Sequence, residues 1–126
     1  MKTFTPTQLA YVQAERRLGR LATADEKGKP HVTPVGMWRY NPELGTVDIS
    51  GHNLAATKKY RNVQANPQAA LVIDDLATTD PWHPRAVIVE GSAEAVPGDG
   101  DDALMRITPN KIISWGLEPL ERRHSQ

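Results

Sequence analysis

The densest run of side chains able to hold an anion is Lys58-Lys59-Tyr60-Arg61-Asn62, preceded by Ser50, His52, Asn53 and Thr57. A helix N-terminus carries unpaired N–H groups and the positive end of the helix dipole, and ammonium groups beside it add to that field. Lys59 and Asn62 stand three residues apart and so share a helix face. The group reads as a phosphate cradle. The same residues also read as a solvated helix face, which is the commoner meaning of a basic cluster alone.

Other chemistry is sparse. His31, His52, His83 and His124 show no ligand spacing, and there is no cysteine, so no metal site is expected. Asp99, Asp101 and Asp102 lie beside glycine but lack the later glutamate of a calcium loop. No nucleophile elbow, dinucleotide fingerprint or P-loop occurs. Trp38, Trp82 and Trp115 offer ring-sized surfaces that serve as core, subunit interface or stacking platform. No acid, base or nucleophile can be assigned to catalysis. That pattern suits a protein that leaves the chemistry to a bound cofactor and supplies binding and orientation.

The elements that would position these residues belong to a chain of 126 residues, short enough for one domain spanning 1–126. Fifteen lysines and arginines balance fifteen aspartates and glutamates. A neutral chain has no global field to draw in nucleic acid or an anionic membrane, and neither partner is expected. The absence of cysteine suits a reducing cytoplasm. No apolar run approaches the ~20 residues that span a bilayer, and the N-terminal residues lack the apolar centre of a signal peptide.

Thr5-Pro6 marks a helix start, with Leu9, Tyr11 and Val12 recurring at helical spacing before Gly19. Leu18–Ala24 and His31–Tyr40 read as strands around a polar turn, and Thr46–Ser50 as a third. Asn53–Asn66 changes period, with Ala56, Tyr60 and Val63 forming an apolar stripe, and Pro67 ends it. Ala69–Ile73 is a short strand, Asp74–Pro84 a polar loop, and Arg85–Val96 a long strand with Gly91 as a bulge or bend. Met105–Trp115 is a last strand interrupted at Thr108-Pro109-Asn110, and Glu118–Gln126 a polar tail. About six strands at near-regular spacing, with two short helices, predict an antiparallel barrel or sandwich.

Four segments together narrow this reading. LGRLATADEKGKPHVTPVGMWRY resembles the opening hairpin of the pyridoxamine-phosphate-oxidase-like, flavin-binding split-barrel superfamily, and TKKYRNVQANPQAALVIDD its helix-and-strand signature. DPWHPRAVIVEGSAEAV and RITPNKIISWG resemble the small actinobacterial branch of deazaflavin (coenzyme F420)-dependent oxidoreductases. The resemblance implies a mainly β, six-stranded antiparallel split barrel of the FMN-binding type. Val87, Ile88, Ile112, Ile113 and Trp115 supply adjacent apolar positions that one face cannot bury alone, so a homodimer is expected, with the cofactor site at the subunit interface.

Carried over by position, the resemblance places Lys59 and Asn62 on the cofactor phosphate, with Thr57 and Lys58 beside them and Ser50 completing the cradle. It lays Thr33, Pro34, Val35 and Gly36 along the tricyclic ring and brings Trp115 to the pocket rim from either subunit. The implied activity is hydride delivery from reduced F420 to a conjugated small organic acceptor. The alternatives are an FMN-dependent oxidase or reductase and a non-enzymatic flavin or deazaflavin carrier. Two positions depart from the pattern, since relatives often carry arginine at the positions of Glu90 and His83. The Arg122-Arg123 pair, with Arg85, Arg106 and Lys111, offers charge to an anionic cofactor tail.

Overall fold

A computed structural model describes residues 1–118; the polar tail beyond, with Arg122, Arg123 and His124, lies outside the described residues. The elements are α1 (Pro6–Ala14), β1 (Gly19–Ala24), β2 (Pro30–Val35), β3 (Trp38–Asn41), β4 (Thr46–Ile49), α2 (Lys58–Ala65), β5 (Gln68–Thr79), β6 (Trp82–Val96) and β7 (Leu104–Trp115). All strand pairs are antiparallel, in the order β2-β1-β5-β6-β7-β4-β3.

That order dictates the shape. β2 and β3 stand at opposite edges of the sheet, yet only Gly36 and Met37 separate them in the chain. Seven flat strands at about 4.8 Å spacing would hold these edges about 29 Å apart. The link from Val35 to Trp38 reaches at most about 11 Å. The sheet therefore curls back on itself into a split barrel.

Alternation sorts the side chains. Leu21, Leu71 and Val89 stand abreast across β1, β5 and β6, and all are buried inside the curl. Ile49, Ile73, Val87, Met105 and Ile107 complete the centre of the core. Tyr11 and Val12 of α1, and Tyr60 and Val63 of α2, add to it from the helices. α1 starts on a capping box, in which the Thr5 hydroxyl accepts from the Gln8 N–H at 3.1 Å and the Gln8 amide oxygen from the Thr5 N–H at 2.9 Å.

The fold class is as expected, but there are seven strands rather than six. The extended run His31–Tyr40 is two strands, broken where the chain crosses between sheet edges. Asp74–Pro84 is no loop. β5 runs on to Thr79 and β6 starts at Trp82, around a cis Asp80-Pro81 bond. The inward position there is Asp75, a charged residue whose partners come from elsewhere in the chain, so apolar alternation gives no sign of a strand.

The helix expected over 53–66 is also divided. Leu54–Ala56 form a 3₁₀ turn, and Thr57 turns extended before α2. The Thr57 hydroxyl donates to the Leu54 carbonyl at 2.7 Å and accepts from the Tyr60 N–H at 3.4 Å. The interruption at Thr108-Pro109-Asn110 is a bulge within a continuous β7, opposite Gly91. A Cβ on Gly91 would stand 2.0 Å from the Thr108 carbonyl oxygen, so the close approach there demands glycine. Among the described residues, no helix is long and apolar enough to cross a membrane.

Candidate cofactor site

The basic cluster sits at the start of α2. Lys58 is exposed and Lys59 half-buried, and neither makes an ion pair within 4 Å among the described residues. Arg61 instead folds back on its own helix, donating to the Ala56 carbonyl at 2.8 Å. Lys58 adds to the field on Asp25, whose carboxyl is held below its usual range chiefly by the Lys29 backbone N–H. Two ammonium groups without carboxylate partners beside a capped helix start are suited to an anion.

Asn62 points the other way. It is 5% exposed, and its side-chain amide donates to the Thr23 hydroxyl at 3.1 Å, fastening α2 to β1. Thr57 is likewise spent on capping. Of the expected phosphate ligands, Lys58, Lys59 and the Ser50 hydroxyl make no side-chain bond among the described residues. Ser50, half-buried after β4, donates its backbone N–H to the Met37 carbonyl at 2.8 Å. That bond ties the end of β4 to the β2–β3 link.

On β2 the expected ring-binding run divides by alternation. Val35 is buried in the core and Thr33 half-buried on the same face, whereas Pro34 is exposed on the outer face. Pro30 and Pro34 remove N–H groups along this edge strand. Gly36 is exposed, and its carbonyl accepts from the Arg16 guanidinium. Trp115 is half-exposed and pairs with Ala86, on the outer face. Among the described residues, no hydrogen bond or strand pairing joins it to α2.

Residue types alone gave no signal for Arg16 or Met37. Arg16 follows a helix like any solvated arginine, yet it spans the two carbonyls flanking Met37. His31, abreast of Thr23, has a buried Nδ1 with no hydrogen-bond partner.

The outer face of β1, β5, β6 and β7 carries a concavity of about 430 Å³, floored by Ala22, Ala24 and Ala70 and walled by Glu90 and Lys111. No residue of α2 lines it. Around it, register sets Val72, Ile88 and Ile113 abreast, with Val32 and Trp115 exposed at 67% and 50%. Val87, expected to add to this surface, is fully buried in the core instead, and Ile112 packs against the core.

A curled antiparallel sheet whose two edge strands are joined by a two-residue link defines a protein of the split-barrel class. Residues 5–124 match the family model described as pyridoxamine 5'-phosphate oxidase, and the chain belongs to that family. A curated relative from Streptomyces rimosus subsp. rimosus, named 5a,11a-dehydrotetracycline/5a,11a-dehydrooxytetracycline reductase, is 38% identical over 122 residues, 91% of this chain and 84% of the relative. Among solved structures, a conserved hypothetical protein from Mycobacterium tuberculosis superposes with a TM-score of 0.72 at 20% identity, covering 100% of this chain and 96% of its own. A protein described as F420 reductase superposes at 0.62 and 19% identity, covering 82% and 94%. The structural neighbours establish the split-barrel fold.

Proposed function

We propose that this protein is a deazaflavin-dependent reductase that delivers hydride to a conjugated, electron-poor organic acceptor. The observation that carries the reading is the 38% identity, over 91% of the chain, to a relative named for the reduction of dehydrotetracyclines. It is supported by Lys58 and Lys59 at the start of α2, two ammonium groups that make no ion pair among the described residues. A reduced deazaflavin, when bound, supplies the hydride. Lys58 and Lys59 hold the phosphate, and the β2–β3 link supports the ring's polar edge. Transfer would require the acceptor carbon to lie within about 3–3.5 Å of the hydride.

The same reading makes the protein a homodimer. Val32, Val72, Ile88, Ile113 and Trp115 form an apolar surface on the outer face, which a twin subunit would cover. Trp115 would then reach the partner's cofactor.

The test is the visible spectrum of freshly purified protein, followed by fluorescence titration with coenzyme F420 and FMN at low and high salt. The proposal expects tighter binding of F420, weakening with salt because exposed charges are screened over about 8–10 Å. Tighter FMN binding at both salt concentrations would overturn the cofactor preference.

A further inference from the structure

A second concavity, of about 360 Å³, lies between the start of α1 and the end of β7. Thr5, Gln8 and Ser114 give it polar lining, and Trp115 and Leu117 apolar lining. The turn after β7 forms a fixed part of its wall. Gly116 there has a positive φ of 72°, and a Cβ on it would stand 2.1 Å from the Pro84 carbonyl oxygen. His83 Nε2 donates to the Gly116 carbonyl at 2.8 Å.

Gln8 sets the polarity of the cavity. It is 8% exposed, and its amide oxygen accepts from the Thr5 backbone N–H at 2.9 Å. A backbone N–H can only donate, so that bond settles which end of the side-chain amide faces which way. The Nε2 end faces Ser114 and donates to its hydroxyl at 3.0 Å. An amide nitrogen cannot accept, so the Ser114 hydroxyl meets Gln8 with a lone pair and keeps its proton for another partner. The Thr5 hydroxyl likewise accepts from the Gln8 backbone N–H at 3.1 Å. Neither hydroxyl proton finds an acceptor among the described residues. One buried glutamine thus leaves two lining hydroxyls as donors.

Such a lining selects a ligand by class. The hydroxyl protons take a carbonyl oxygen, while Trp115 and Leu117 take the apolar body that carries it. Glu118 also lines the cavity, and its carboxylate opposes an anionic ligand. In the proposed dimer Trp115 reaches the partner's cofactor, which brings this cavity beside the hydride donor.

We propose that the cavity seats the acceptor through a carbonyl oxygen on the Ser114 hydroxyl, with Gln8 as the positioning residue that aims the proton. The acceptor is then a neutral ketone or quinone rather than a carboxylate. This rests on the reading of the protein as a reductase of a conjugated acceptor, and it adds the acceptor's class and its seat.

Gln8→Glu is the decisive variant. A glutamate here still accepts from the Thr5 N–H, so the capping box survives, but its second oxygen accepts where Nε2 donated. The Ser114 proton then turns to the glutamate and away from the cavity. Wild type, Gln8→Glu and Ser114→Ala are loaded with oxidised coenzyme F420, so that no turnover occurs. Each is titrated with 1,4-naphthoquinone, naphthalene and 1-naphthoate, with the Ser114 and Gly116 backbone amides followed by NMR. Wild type should bind the quinone about three- to tenfold more tightly than naphthalene, the worth of one net hydrogen bond, and 1-naphthoate most weakly. Both variants should lose that preference for the quinone. Failure of wild type to take up F420 would overturn the functional reading on which this rests. With F420 bound, an equal quinone preference in wild type and Gln8→Glu would show a merely structural glutamine and overturn its positioning role. Absence of shifts at Ser114 and Gly116 in wild type, or tighter binding of 1-naphthoate than of the quinone, would overturn the seat or the class and leave the cofactor reading standing. Should Gln8→Glu not fold, Ser114→Ala and the wild-type shifts decide the matter.

Discussion

The side-chain amide of Asn62 donates to the Thr23 hydroxyl at 3.1 Å, and both residues are at least 95% buried. Three residues earlier on the same helix, Lys59 makes no ion pair among the described residues. Two residues expected to share one duty thus have different surroundings, and their substitutions should separate. Asn62→Ala should cost about 1–3 kcal/mol in urea denaturation, because it removes a buried bond and leaves the Thr23 hydroxyl short of a partner. A stability equal to wild type would show the bond to be idle.

Lys59→Ala should leave the denaturation midpoint nearly unchanged, since an unpaired, partly exposed lysine adds little to stability. Its affinity for F420 should drop about ten- to a hundredfold through loss of a charge-assisted bond to phosphate. Calorimetry showing equal affinity in the two proteins would move the phosphate site elsewhere.

Ile113→Glu places a charge at the β7 end of the outer row Val72, Ile88 and Ile113 without touching the core. Light scattering should report a dimer for wild type at micromolar concentration and a monomer for the variant, with cofactor affinity lost in parallel. Val87→Ala, by contrast, should cost about 0.5–1.5 kcal/mol or more in stability and leave the dimer intact, because Val87 is fully buried inside the barrel. A monomeric wild type would sink the shared-site reading.

Asp75 is the anchor between α1 and the β5–β6 hairpin. Its carboxylate accepts from the Tyr11 hydroxyl at 2.9 Å, Arg17 Nε at 2.9 Å and Arg85 Nε at 2.8 Å. Burial pushes the carboxyl up, but the bonds from Arg85, Arg17 and Tyr11 outweigh it and hold it well below the usual carboxylate range. Burial, aided by the bond to Asp75, pushes the Tyr11 hydroxyl up. A carboxyl lowered on folding stabilises fully above its unfolded value of about 3.9 and loses that contribution as pH falls toward the folded value. Asp75→Asn should therefore be less stable than wild type by about 2 kcal/mol near neutral pH, with the gap closing below about pH 4. Urea denaturation at several pH values checks this, and a gap independent of pH would contradict it.

Gly91→Ala should destabilise by about 1–3 kcal/mol or prevent folding, since its Cβ would lie 2.0 Å from the Thr108 carbonyl oxygen and the obstacle is backbone. Thermal melting measures the loss. A melting temperature equal to wild type would mean that the bulge can relax at no cost.

Much of this protein was determined by its sequence alone. Period-2 apolar runs and the Thr5-Pro6 and Asn66-Pro67 boundaries set most strands and both helical regions, because those signals depend on residues within a turn or two of one another. The basic helix start was legible for the same reason. What the sequence left open depends on distant partners. Asp74–Thr79 looks like loop because its inward residue is Asp75, and the arginines that satisfy it lie 58 and 10 residues away. Asn62 and Lys59 look alike on a helical wheel, and only the packing of α2 on β1 buries one and frees the other. Arg16 carries no pattern at all. Its meaning arises because the curled sheet carries the β2–β3 link past the end of α1, where one guanidinium meets two carbonyls. Local periodicity decides which elements form, whereas burial and charge pairing across the chain decide which side chains remain available to a ligand.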